Sequence, residues 1–205
     1  AYSIPITNTD PGPDGVLGTS DDGRAVTYYD YTAAYAGAAF VSLMDVNTDG
    51  YKNSYNSVEM AAQKRMSNRW QLVTSFLATY VDTWRNGIPQ DPNAAGFFPK
   101  SKYWEWGFKL SGSYELPYKI QAAAMFTSQS GSVWAREARF TTGLSRLAEV
   151  IVLMEDPAAN RLPTQNILNL RFEKRQKIGP GTASFQFDLF NVTNTNVELG
   201  VTARS

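Results

Sequence analysis

Residues Tyr103–Leu116 alternate strictly between two chemistries. One parity reads Trp104, Trp106, Phe108, Leu110, Gly112, Tyr114, Leu116; the other reads Tyr103, Glu105, Gly107, Lys109, Ser111, Ser113, Glu115. Period-2 alternation means a β-strand with unlike faces, and this run outlasts the roughly 4–8 residues of an ordinary half-buried strand. The greasy parity carries aromatics at both ends with aliphatic or small residues between. A strand crossing a membrane wants that order, with aromatic girdles flanking an apolar band. A long strand of a soluble sandwich is the competing explanation for this segment taken alone.

The same grammar recurs. Trp70, Leu72, Phe76 and Tyr80 share one side of a second run, and Ile120, Ala122, Ala124 and Phe126 one side of a third. Leu168, Leu170 and Phe172 alternate with Asn169, Arg171 and Glu173, while Phe185, Phe187 and Leu189 alternate with Ser184, Gln186 and Asp188. Val58, Met60 and Ala62 alternate with Ser57, Glu59 and Gln63. Charge on the second face requires water there, which the core of a small sandwich does not supply.

The connections alternate too. Short ones lie at 66–69, 116–119 and 178–181, where Asn, Gly and Pro suit tight hairpins; long ones occupy 81–102 and 131–163. Short periplasmic turns and long extracellular loops are characteristic of outer-membrane barrels, whereas structureless loops of that length are unusual in soluble domains. The expected fold is therefore all-β, a segment of an antiparallel up-and-down transmembrane β-barrel. Strand hairpins are expected at 55–80, 103–130 and 164–190. Residues 1–54 read as a strand around Val26–Tyr31 plus a long loop region, with 8–54 either one long excursion, the preferred reading, or an excursion that hides another short hairpin.

Composition narrows the function. Lys plus Arg equals Asp plus Glu at 19 each, so no basic field invites nucleic acid. There is no Cys and no His, which removes disulfides, thiolate sites and every His-based triad. Mean hydropathy is −0.33 and no stretch approaches the roughly 18 apolar residues of a membrane helix; alternating barrel strands escape such averages. The opening Ala1-Tyr2-Ser3-Ile4-Pro5 lacks the basic segment and apolar core of a signal peptide.

Several stretches, in order, resemble the C-terminal half of Oar-like TonB-dependent receptors with a carboxypeptidase-regulatory-like N-terminal domain, abundant in Acidobacteria. They are Asp10-Pro11-Gly12-Pro13-Asp14-Gly15 running to Asp22, Lys64–Trp70, Phe108–Tyr114 with Leu116-Pro117-Tyr118, Gln129-Ser130-Gly131, Arg161-Leu162-Pro163, Leu170–Arg175 and Asp188–Asn194. The resemblance implies a bacterial outer-membrane location and uptake of a bulky nutrient such as a glycan, peptide or metal chelate. It also implies lipid, a plug, the remainder of the barrel and, through an N-terminal part, TonB as partners. Plug and TonB box are not read here, and the chain does not end on the aromatic usual for such barrels, so it is expected to be one segment of a longer product.

Candidate sites are few. Asp10, Asp14, Asp21 and Asp22 among Gly and Pro suggest oxygen ligands for Ca²⁺, with a solvated acidic loop as the plainer reading. Asp45-Val46-Asn47-Thr48-Asp49-Gly50 matches the first half of a calcium loop, but its twelfth position is Asn56 rather than Glu. Trp84, Phe97, Phe98, Tyr103 and Trp134, with Phe140, lie in or beside the long loops, where aromatics stack on sugars or pack among themselves. Lys64, Arg65, Arg69, Arg171, Glu173 and Arg175 gather near the short turns and read as internally paired charge. The alternative to a transporter is a soluble all-β fragment that binds or hydrolyses carbohydrate. Glu105 with Glu115, or Glu149 with Glu155, would then be the acid–base pair. Ser130-Gly131-Ser132 lacks a nucleophile elbow and any His to activate it.

Overall fold

The computed structural model describes residues 2–36, 52–84, 92–95 and 98–203. Six long strands form one antiparallel meander: β3 (Ser54–Ser67), β4 (Trp70–Trp84), β5 (Lys100–Leu116), β6 (Ile120–Gln129), β11 (Gln165–Ile178) and β12 (Gly181–Leu189). Among the described residues the chain is all-β apart from one helical turn (Pro92–Ala95) and two short 3-10 turns. The sheet is open: among the described residues β3 and β12 pair on one side only.

All three short connections lie at one end of the sheet. Asn68 and Arg69 both take positive φ, 51° and 69°, the two-residue turn whose twist matches paired strands. Gly179 (φ 57°) precedes Pro180, which fits the turn with Gly at its first central position. Between β5 and β6, Tyr118 and Lys119 adopt φ of 63° and 58°, an uncommon conformation for residues bearing a Cβ.

The faces stay matched across the sheet, with a β-bulge between Lys64 and Ser67 correcting the odd–even Ser67–Trp70 pair beside the first turn. Beyond it, in four successive pairings even residues meet even residues: Phe76 faces Met60 and Phe108, Gly112 faces Leu72 and Ala124, and Ala122 faces Phe172. The last pairing passes the same face to the odd residues of β12, where Phe187 meets Phe172 and Leu189 meets Leu170. Directly paired side chains share a face. One side of the sheet is therefore continuously apolar, and the other carries Glu59, Gln71, Lys109, Glu115, Gln121, Arg171, Glu173 and Asp188.

At the opposite end the long connections build a separate small core. The hairpin β1 (Tyr2–Thr9) and β2 (Ala25–Tyr31) packs with the hairpin β8 (Glu137–Phe140) and β9 (Val150–Leu153). Val26, Tyr28, Ala138, Phe140, Val150, Val152 and Met154 are buried together, with Ile6, Leu144 and Leu147 against them. The Tyr28 and Phe140 rings stack at 5.0 Å. Asn93 braces β2 by accepting the Tyr29 N–H (2.8 Å) and donating to the Tyr29 carbonyl (2.7 Å). Two-residue strands β7 (Val133–Trp134) and β10 (Asn160–Arg161) pair beside this core.

Residues 131–163 are thus folded rather than irregular, and residues 1–36 hold a hairpin rather than one strand and an excursion. In both places short alternating strands bury one row against the other hairpin. Replacing Phe140 by Ala removes the central ring of this core and is expected to cost about 3–5 kcal/mol. Denaturant unfolding should show that loss in the outer hairpins while the far-ultraviolet signal of the six-stranded sheet persists.

Candidate functional site

Among the described residues nothing covers the apolar face. Trp104 is 51% exposed, Met60 59% and Phe187 60%, and no described helix or second sheet lies over them. Six strands spaced by about 4.8 Å, with bands about 30 Å long, present on the order of 800 Å² of contiguous apolar surface. Soluble monomers rarely exceed about 300–600 Å² in one patch. Aromatics gather at both ends of this band, Trp70 and Tyr114 paired toward the short turns, Tyr80 and Trp104 paired toward the hairpin core. The Tyr80 and Trp104 rings lie 5.3 Å apart. Lys64 closes the short-turn end: its ammonium sits 3.8 Å above the Trp70 ring and donates to the Ser67 and Trp70 carbonyls.

The polar face carries a charge ladder. Arg171 makes two hydrogen bonds to Asp188, at 2.6 and 2.9 Å, from strands directly in register. Glu173 accepts from Arg175 at 2.6 Å and from the Ser184 hydroxyl at 2.7 Å. A groove of about 460 Å³ runs past the turn, lined by Arg69, Glu115, Tyr118, Lys119, Glu173 and Arg175. Of the charged residues near the short turns, Glu173 and Arg175 pair with each other, Arg171 pairs with Asp188, and Lys64 caps carbonyls of its own turn.

Two carboxylates organise the hairpin core. Asp30 is fully buried and accepts the backbone N–H groups of Ser145 (2.7 Å), Arg146 (2.9 Å) and Leu147 (3.3 Å), as well as the Ser145 hydroxyl. Burial alone would raise its pKa. The donors from Ser145, Arg146 and Tyr31 outweigh that and hold it at about 2. Asp10, also buried, forms a two-pronged pair with Arg136 (2.8 and 2.5 Å) and accepts the Gly12 N–H at 3.1 Å. Burial pushes the Asp10 carboxyl up, and the Arg136 guanidinium with the Gly12 N–H brings it below the ordinary range.

The acidic loop is accordingly tied to its own backbone. Asp14 accepts from Val16, Asp21 from the Thr19 hydroxyl and Asp14 N–H, and Asp22 from Gly18. Among the described residues no three acidic side chains converge as a metal site. Asp45 and Asp49 lie outside the described residues.

The aromatic candidates do not meet. Trp84 shares the apolar-face parity of β4, with Lys100 4.8 Å over its ring, whereas Tyr103 lies on the opposite face of β5. Trp134 belongs to the β7–β10 pair, Phe98 is half-buried ahead of β5, Phe140 sits in the hairpin core, and Phe97 lies outside the described residues. Glu105 and Glu115 are ten residues apart along one strand, about 33 Å, far beyond the roughly 5–9.5 Å of a glycosidase pair. Glu149 is ion-paired with Arg139 at 2.5 Å, and Glu155, beyond the other end of β9, accepts from Asn160 at 2.8 Å. Ser130 continues the β5–β6 pairing through Trp106, and a Cβ on Gly131 would collide with the Leu162 carbonyl.

Asp30 and Arg136 escaped sequence reasoning because their partners lie more than a hundred residues away. No protein-family model, curated protein or solved structure matches the chain.

The Asp30 latch has a definite pH signature. Its folded pKa lies below the ordinary value of 3.8, so its contribution is complete above about pH 4 and is lost as pH falls through 2. The loss is on the order of 2 kcal/mol. Hydrogen-exchange protection of the Ser145 and Arg146 amides, corrected for intrinsic rate, should fall about thirty-fold between pH 4.5 and 2. Asp30→Asn should flatten that profile.

Proposed function

We propose that the meander is a stretch of the wall of a bacterial outer-membrane β-barrel, of the TonB-dependent receptor type its motifs resemble. Its apolar face meets lipid and its charged face lines a wet interior. The observation that carries this reading is the continuous apolar face, left uncovered by the described residues and banded by aromatics, backing onto a face that carries charged and polar side chains. Trp70 to Tyr80 spans ten residue steps, about 34 Å of strand. Tilted by about 40°, that length gives the roughly 25 Å band of outer-membrane barrels.

The remaining parts take their roles from this placement. Backbone groups inside hydrocarbon must be paired, which interior strands of the sheet satisfy and which calls for neighbouring strands at β3 and β12. The short turns face the periplasm. The hairpin core, rigidified by Asp30 and by the Asp10–Arg136 pair, stands outside the membrane as the surface that meets a glycan or peptide before uptake. Energy coupling to TonB through a plug belongs to the longer protein this reading implies. Catalysis is not part of this role.

Two neighbouring substitutions test the orientation. Leu110→Arg places a charge mid-band on the apolar face and should cost about 2–4 kcal/mol in a bilayer. Ser111→Arg points to the polar face and should change stability by less than about 0.5 kcal/mol. The measurement is urea unfolding of each variant refolded into vesicles. Equal effects, or a larger one for Ser111→Arg, would overturn the proposal.

A further inference from the structure

The apolar face is not flat. A hollow of about 610 Å³ opens in the half nearer the short turns, within the roughly 300–1,000 Å³ typical of small-molecule sites. Leu72 on β4 flanks it on one side and Leu170 with Phe172 on β11 on the other, while Leu110 and Phe126, in register with each other, close its mid-band end. Its floor is Gly112, the Ala124 in register with it, and Ala122 one same-face position along β6, where small side chains leave the backbone near the surface. Leu72 leans over that floor, its Cδ1 lying 3.1 Å from where a Gly112 Cβ would sit.

A basic residue lies one same-face position beyond the hollow, toward the short turns. Lys174 follows Phe172 on the same face of β11 and pairs in register with Ile120 and Phe185. It is exposed and makes no ion pair among the described residues, whereas Lys64 at the opposite flank is occupied by Ser67 and Trp70. From the Lys174 level to the Leu168–Phe126 level is about 20 Å of strand, a length an extended acyl chain spans.

We propose that this hollow is a site for one anionic glycerophospholipid, its acyl chain over Ala122 and Ala124 and its phosphate on Lys174. The site rests on the membrane reading above and adds a specific lipid to it. Bulk lipid touches a smooth barrel wall from one side only. Here a chain gains contact from floor and both walls, and each lost contact weakens such a fit. A basic residue at headgroup level favours an anionic lipid about five-fold over a zwitterionic one.

Trp70 lines the hollow and reports on it; Trp104 marks the far girdle. Two single-tryptophan proteins, retaining either Trp70 or Trp104 with the other four of the five tryptophans changed to Phe, are reconstituted into phosphatidylcholine vesicles. Phosphatidylglycerol or phosphatidylcholine with brominated acyl chains is then titrated in as quencher. The expected result is about five-fold stronger apparent binding of phosphatidylglycerol at Trp70 and no preference at Trp104. Lys174→Gln should abolish the preference, and Ala124→Leu, which fills the floor, should weaken quenching of Trp70 by both lipids. Quenching of both tryptophans without headgroup preference at Trp70, or a preference that survives Lys174→Gln, would overturn the lipid site and leave the barrel wall standing. If neither lipid quenches either tryptophan, the membrane reading falls and the site with it.

Discussion

Conservation of side-chain parity across every turn is the constraint on which the rest of this structure depends. A strand has period two, so one residue gained or lost at a connection would send an entire apolar row to the charged face. The β3–β4 and β11–β12 turns hold two residues each and the β5–β6 turn three; the last two set a register in which like meets like, and at the first a β-bulge between Lys64 and Ser67 supplies the one-residue shift that does so. The 130–164 insertion is far longer, yet β6 and β11 still pair with Ala124 opposite Leu170 and Gln121 opposite Glu173. A flexible insertion adds closure entropy only slowly with length, and the apolar row fixes the alignment on return. The register is thus chosen by what each face must touch.

That choice explains the uneven distribution of polar interactions. On the charged face, Arg171–Asp188 and Glu173–Arg175 are open to water, where an isolated pair contributes about 0–1 kcal/mol. They keep charge compatible with its neighbours more than they stabilise the sheet. In the hairpin core the carboxylates are buried, and burial of a charge is tolerated only when its hydrogen bonds are complete. Asp30 meets that condition with backbone donors and Asp10 with a guanidinium. Each ties segments that are far apart in sequence, so the core is held by two polar cross-links as well as by its stacked rings.

The legible part of this molecule is the part with a long period. Tyr103–Leu116 announces its strand and both faces, and the hairpins at 54–84 and 165–189 follow from the same alternation and from Asn-Arg and Gly-Pro turns. The outer hairpins were harder to read for physical reasons. Pro5 sits inside β1, and proline inside a run argues against a strand; here β1 pairs with β2 alone, so an edge position accommodates it. Strands β8 and β9 have four residues each, too few for alternation to stand out from a loop. The acidic loop invited a calcium reading because spacing alone does not show that Asp10 faces Arg136. The paired glutamates of β5 share a face, yet strand rise separates them beyond any joint chemistry.

An amphipathic sheet of this size has two ways to satisfy its apolar face, a covering layer or a solvent that is itself apolar. Among the described residues no layer lies over Trp104, Phe108 or Phe187, and Tyr28, Phe140, Val150 and Val152 bury one another in the hairpin core instead. The aromatic rows are graded along the strand as well, with Trp and Tyr at the band's ends and Leu, Phe and Ala within it. A protein layer would not require that grading, because a packed core has no interface at fixed depth. A bilayer does, since rings with an apolar body and a polar edge are stable where hydrocarbon meets water. It is this vertical order, more than the total of apolar residues, that favours lipid over a missing protein layer.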